Sequence, residues 1–257
     1  MKRRSRVVTS SQEQGPRFLQ EDRYFHKPIG GRGFRGDLLA VMDGHGGPSV
    51  AEICKREIDL LFKLNKANEA RQALRKVVAD LNRKTESNHY VGSTLSIVLV
   101  LESMNIAWVS ILGDSPVIIL DEKGKLHTSP EHNIRSNLKE KAAVEKRGGV
   151  CEGGYVFTKD DYRFEQGLQM SRALGDSHLG KVISRRPEIY AVRDPRWILV
   201  ASDGILDPSH FDSEKALAAI REYADKRATA RDLISWVKAI GPRYNVTALV
   251  WAKRKKA

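Results

Sequence analysis

Cysteine is almost absent: the chain holds two, Cys54 and Cys151. Two isolated thiols form no disulfide framework and no Cys/His zinc spacing, and a reducing, cytoplasmic setting is expected. Long apolar runs are missing as well. The longest, residues 97–101, 117–120 and 197–201, are far too short to cross a bilayer, so no membrane insertion is expected. No hydrophobic segment follows the basic opening MKRRSRVVTS, so no secretory signal is expected. There is no internal repeat and no low-complexity linker. The basic residues are not interleaved with aromatics, which argues against a dedicated nucleic-acid module.

What remains is a chain of 257 residues, 41% hydrophobic and 30% charged, in the range of a folded protein with one large core. Its net charge of +12 is uneven. Lys2, Arg3, Arg4 and Arg6 lie at one end, and Lys253, Arg254, Lys255 and Lys256 at the other. The expectation is one domain over 1–257 with short solvated basic tails at about 1–6 and 253–257. Such tails also suit non-specific contact with nucleic acid, an acidic lipid surface or an acidic partner. With no exposed heptad or long apolar patch, a monomer is expected.

Hydrophobic periodicity sets the elements. Residues 7–9, 24–25 and 38–42 read as strands, with 34–37 as a turn. Pro48 opens a helix to about 64, and an apolar stripe marks a second helix over about 68–84. The runs 93–101, 105–112 and 117–120 read as an antiparallel meander. A helix over about 134–147 stops at Gly148-Gly149. A strand at 197–202, helices at about 213–227 and 230–240, the latter capped by Thr229, and a strand at 247–251 complete the chain. Paired helices between runs of strands predict α+β layering, sheet on sheet with helices outside.

Several strand-like runs end in aspartate: LLAVMDG at Asp43, WVSILGD at Asp114 and WILVASDG at Asp203; QMSRALGD ends at Asp176. Any one of these is an ordinary Asp-Gly turn, as Gly36-Asp37 is read to be. Their recurrence is different, because strand ends converge at one edge of a sandwich and bring such carboxylates to one mouth. Hard oxygen donors there suit Mg²⁺ or Mn²⁺.

The order of motifs resembles the protein phosphatase 2C family, the metal-dependent serine/threonine protein phosphatases. It is carried by RFLQED (17–22), LLAVMDGHGG (38–47), GSTL (92–95), GDS (113–115), EHN (131–133), RGGV (147–150), SRALGD (171–176), PEI (187–189), ASDGILD (201–207) and NVT (245–247). The resemblance implies a β-sandwich of two mainly antiparallel sheets flanked by helices on both faces, a four-layer αββα arrangement. It implies two Mn²⁺ or Mg²⁺ ions and a phosphorylated protein as substrate. By resemblance Asp43 bridges the ions, the Gly44 carbonyl touches one, and Asp203 binds the other. Glu21 and Asp22 hold metal-bound waters; from local sequence alone they read as a solvated acidic pair. Arg17 is the phosphate ligand, suited by its planar fork. His45 gives a proton to the leaving oxygen, or else is a structural histidine. Asp114 and Asp176 correspond to positions that hold a third, weaker ion in some members, or are structural. Ser171 and Arg172 read as scaffold.

The match fails at one place. Where the family reads Asp-Asn-Val-Thr, this chain reads RYNVT, with Tyr244 in place of an aspartate that binds the same ion as Asp203. A neutral phenol is a poor ligand for these ions, and Asn245, Asp207 or water is the candidate replacement. Pro116 and Glu131 are milder departures, and the segment between SRALGD and PEI is short. Two classes of function follow: an active phosphoprotein phosphatase, or a pseudophosphatase kept as a binding module. A basic scaffold on nucleic acid is a weaker third, which the aspartate set opposes.

Overall fold

The computed structural model describes residues 6–160, 166–206 and 213–254. After β1 (Arg6–Glu13) the chain forms the hairpin β2 (Arg23–Gly31) and β3 (Phe34–Met42), then the two-residue β4 (Gly44–His45). Helices α1 (Ser49–Leu61) and α2 (Ala70–Thr85) follow, and then the short β5 (Gly92–Ser93). Next come β6 (Leu95–Leu101), β7 (Ile106–Leu112), β8 (Val117–Asp121), β9 (Leu126–Thr128), α3 (Leu138–Lys146), β10 (Val150–Glu152) and β11 (Tyr155–Phe157). The last third holds β12 (Leu174–Gly175), β13 (Glu188–Arg193), β14 (Pro195–Ala201), α4 (Ser213–Asp225), α5 (Ala230–Ile240) and β15 (Val246–Lys253).

Two five-stranded antiparallel sheets, in the orders β1-β15-β14-β8-β9 and β13-β7-β6-β3-β2, stack face to face. Side-chain alternation explains why the central strands read as unbroken apolar runs. Leu39 and Val41 of β3 meet Val200 and Leu249 between the sheets. Leu38, Ala40 and Met42 point the other way, onto Cys54, Ile58, Leu74 and Leu81 of α1 and α2. On the far side, Trp197, Leu199 and Val250 pack on Ile220, Leu233 and Val237 of α4 and α5. The result is the expected helix–sheet–sheet–helix layering. No described helix is long and apolar enough to cross a membrane.

Four expectations change. The meander breaks after β7: β6 and β7 pair, but β8 crosses to the other sheet beside β14. The helix expected from 134 starts only at Leu138, because the Asn137 side chain accepts from the backbone N–H of Lys139 and Glu140 and caps it there. Residues 34–37 are strand, not turn. Gly36 lets β3 approach β6 so closely that a Cβ would stand 1.7 Å from the Val100 carbonyl oxygen. Asp37 is buried and accepts from Trp251 Nε1 at 3.1 Å, pairs with His26 Nε2 at 2.9 Å, and is clasped by Arg6. Burial alone would raise its pKa; hydrogen bonds from His26 and Arg6 overcome that and hold it below the usual carboxylate range.

That clasp corrects the fourth expectation, the basic tails. Arg6 belongs to β1 and pairs in register with Lys253 of β15, whose ammonium reaches Asn105 and Glu122. Lys2, Arg3, Arg4, Lys255 and Lys256 lie outside the described residues. Thr229 caps α5 as expected, in a capping box with Asp232. Cys54 and Cys151 are free thiols, and burial pushes Cys54 up to about 12.

Candidate active site

Asp43 stands where β3 gives way to β4. Its backbone N–H donates to Thr94 Oγ1 at 3.0 Å and its carbonyl accepts from the Thr94 N–H at 2.9 Å, while Ser115 fixes the Thr94 hydroxyl at 2.6 Å. Asp203 opens a single helical turn directly after β14, and Asp114 follows β7 across Gly113. Asp22 lies beneath, where its Oδ2 accepts from Ser202 Oγ at 2.8 Å and Thr247 Oγ1 at 2.7 Å. Its Oδ1 is buried without a hydrogen-bond partner among the described residues. Gly44 is pressed on the Glu21 backbone, so that a Cβ there would come within 2.7 Å of the Glu21 carbonyl oxygen.

These carboxyls feel one another. Burial, then the charges of Asp22, Asp203 and Asp114, raises Asp43 well above the usual range. Burial and the Asp203 charge push Asp114 up to about 7, against a hydrogen bond from Asn133. Burial, opposed by Thr247 and Ser202 and reinforced by Asp203, leaves Asp22 at about 6. Uncompensated like charges at a cleft floor are costly unless cations offset them. No three acidic, histidine or cysteine side chains among the described residues form a ready-made cation cage. The donors are nevertheless all oxygen, and the orphaned Asp22 Oδ1 lacks a positive partner; this chemistry fits Mg²⁺ or Mn²⁺ rather than zinc.

The cleft above has a volume of about 560 Å³ and is lined by Arg17, Glu21, Asp43, Gly44, His45, Asp114, Asp176 and Asp203. All the site residues singled out in the sequence therefore reach it except Asp22, which supports it from below. Asp176 is separate from the carboxylate cluster in its bonding: its Oδ2 meets His45 Nε2 at 2.7 Å. It sits in a left-handed conformation at φ 47°, and Arg185 donates to the neighbouring carbonyls of Ala173 and Asp176 at 2.8 and 3.2 Å. Gly92 makes this pair possible, since a Cβ there would lie 2.0 Å from Asp176 Oδ2 and 2.3 Å from His45 Nε2. The scaffold reading of Ser171 and Arg172 agrees with their bonds to Glu140.

Tyr244 also lines the cleft, with the Arg17 guanidinium carbon 4.8 Å from its ring centre. Asn245 is not available as the replacement oxygen. Its Oδ1 accepts from the Glu21 N–H at 2.8 Å and its Nδ2 donates to the carbonyls of Gln14 and Leu19 at 2.9 and 3.0 Å. Asp207, the other candidate, lies outside the described residues. Sequence reasoning missed Thr94, Gly92, Ser202 and Thr247 as holders of the aspartates, although the GSTL, ASDG and NVT motifs contain them.

The protein phosphatase 2C family model matches residues 7–246. A probable protein phosphatase 2C of Oryza sativa subsp. japonica is 29% identical over 225 residues, covering 83% of this chain. The match spans 57% of that relative's length, so the chain corresponds to little more than half of it. Among solved structures, a C. elegans sex-determining protein superposes with a TM-score of 0.79 at 24% identity, over 99% of this chain and 66% of that one. The catalytic domain of the serine/threonine protein phosphatase PstP, in complex with two manganese ions, gives 0.65 at 19% identity, over 97% and 99%. At these identities the structural matches speak to the fold.

Proposed function

Because the chain belongs to the protein phosphatase 2C family, we propose that it hydrolyses phosphoserine and phosphothreonine in a phosphorylated protein partner, with two Mn²⁺ or Mg²⁺ ions. Asp43, the Gly44 carbonyl, Asp203 and, through water, Glu21 and Asp22 would hold them, with Asp114 contributing to a weaker third. The single observation that carries this reading is the group of mutually repelling aspartates under one cleft that also holds an arginine and a carboxylate-bound histidine. Bound there, divalent ions supply a water nucleophile near neutral pH and offset charge on the phosphoryl oxygens.

The protein's own groups do the rest. Arg17 grips two phosphoryl oxygens with its planar fork and orients the phosphorus for in-line displacement. Asp176 holds His45 at Nε2 and fixes the orientation of its ring. We assign the transferable proton to Nδ1, the nitrogen without a partner, and its acceptor is the departing serine or threonine oxygen. Asp176 is thus a positioning residue in this reading rather than an ion ligand. Nucleic acid has no part in it.

One observation favours a second reading, a pseudophosphatase that binds phosphoprotein without turnover: the Asn245 amide, a candidate replacement ligand, is already bonded to Glu21, Gln14 and Leu19. A manganese-titrated assay on a phosphothreonine peptide separates the two. The phosphatase reading expects turnover that chelator removes and that Asp43→Asn lowers more than about a hundredfold, roughly 3 kcal/mol of barrier. Turnover that persists in chelator rejects the two-ion account. A silent wild type beside an active Tyr244→Asp variant selects the pseudophosphatase.

A further inference from the structure

We infer that Tyr244 is a positioning residue whose ring holds the Arg17 guanidinium ready to receive a phosphate dianion. This rests on the proposed role of Arg17 and concerns what lies against it. The guanidinium carbon is 4.8 Å from the ring centre, within the range of a cation–π contact. Arg17 lies in an exposed loop, where a long side chain would otherwise sample many rotamers and lose that freedom on each binding event. A ring face restrains the guanidinium plane without spending its N–H edges. A carboxylate at the same place would occupy the fork that phosphate needs.

The backbone beneath Arg17 is tied to the same dipeptide. Asn245 donates to the carbonyls of Gln14 and Leu19 and accepts from the Glu21 N–H. Gln14 Nε2 in turn donates to the carbonyls of Arg17 and Phe18 at 2.8 and 3.2 Å. Gly15, at φ +61°, passes so close to Tyr244 that a Cβ would stand 2.7 Å from its carbonyl oxygen. Residues 244 and 245 therefore set both the loop and the guanidinium. On this view the tyrosine that replaces a cation ligand strengthens the grip on phosphate, and the chain exchanges metal affinity for a preorganised anion site.

The test is calorimetric titration of inorganic phosphate into the manganese-loaded protein, beside steady-state kinetics on a phosphothreonine peptide. Tyr244→Leu keeps the bulk but removes the ring face, and should raise the phosphate dissociation constant about two- to fivefold. KM should rise by the same factor with kcat little changed, and Tyr244→Phe should restore both. In an Arg17→Ala background Tyr244→Leu should add nothing. An unchanged dissociation constant in Tyr244→Leu, or the same loss without Arg17, overturns the inference. A protein that binds phosphate in this Tyr244-dependent way but never turns over instead overturns the phosphatase reading and leaves the inference standing.

Discussion

At the scale of the residue, the site depends on atoms that are missing as much as on those present. Gly92 leaves room for the contact between His45 and Asp176, and any side chain there must push them apart. Gly92→Ala should therefore impair proton delivery while sparing Asp22, Asp43, Asp114 and Asp203. A phosphothreonine peptide, whose leaving alkoxide needs a proton, should be hydrolysed about a hundredfold more slowly. An aryl phosphate, whose leaving group needs none, should lose only a few-fold. Equal losses on both substrates would mean that the pair does not act in proton transfer. Asp43, Asp114 and Asp203 were legible in the sequence because each follows an apolar run into a Gly-containing turn, whereas Asp22 read locally as half of a solvated acidic pair. Their anchors were not: Ser202 and Thr247 are ordinary polar residues until the fold aims their hydroxyls at the buried Asp22 carboxyl, and Thr94 until its hydroxyl accepts from the Asp43 N–H.

At the scale of the element, apolar periodicity located the helices α1 to α5 and most of the long strands, but passed over β13 and the short β4, β9, β10, β11 and β12. It failed where tertiary contacts override local signals. Residues 34–37 carry Gly and Asp, the composition of a turn, yet they continue β3 because Gly36 admits the neighbouring strand and Asp37 meets Arg6, His26 and Trp251 from three other strands. No local pattern encodes partners so distant in sequence. Asp37→Asn would leave the Arg6 guanidinium without its principal buried anion. Breaking such a pair costs about 3 kcal/mol, less any share that Glu102 retains on Arg6. We expect the melting temperature to fall by roughly 5–10 °C, with KM and kcat on a small aryl phosphate unchanged below that temperature. A melting curve that superposes on the wild type would remove the clasp from the account of stability. The break in the meander has the same origin: β7 and β8 are adjacent in sequence, but the apolar faces of β8 fit the second sheet.

At the scale of the whole molecule, the cleft carboxyls couple stability to pH and to cations. Asp22 at about 6, Asp114 at about 7 and Asp43 well above the ordinary range all bind protons more tightly folded than unfolded. Below pH ~4 both states are protonated and these groups cost nothing. As pH rises towards 7 the unfolded chain releases its protons first, so metal-free stability falls across that window. Asp37 acts with the opposite sign, but its window lies below the ordinary carboxylate range. The metal-free protein should therefore melt lower at pH 7.5 than at pH 5.5. Added Mn²⁺ should raise the melting temperature more at the higher pH, because cations compete with protons for the same oxygens. An equal Mn²⁺ shift at both values would count against these carboxyls as its ligands.

The antiparallel pairing of β1 with β15 also has a mechanical consequence. Tension applied through Arg6 and Lys253, which face each other in register, would peel the two strands apart like a zipper, one rung at a time. A machine that pulls on these two residues would start at the Arg6 rung and reach the Thr247 rung, where Asp22 is moored, near the end of the seam. The anchorage beneath the cleft would thus be among the last to yield along that edge.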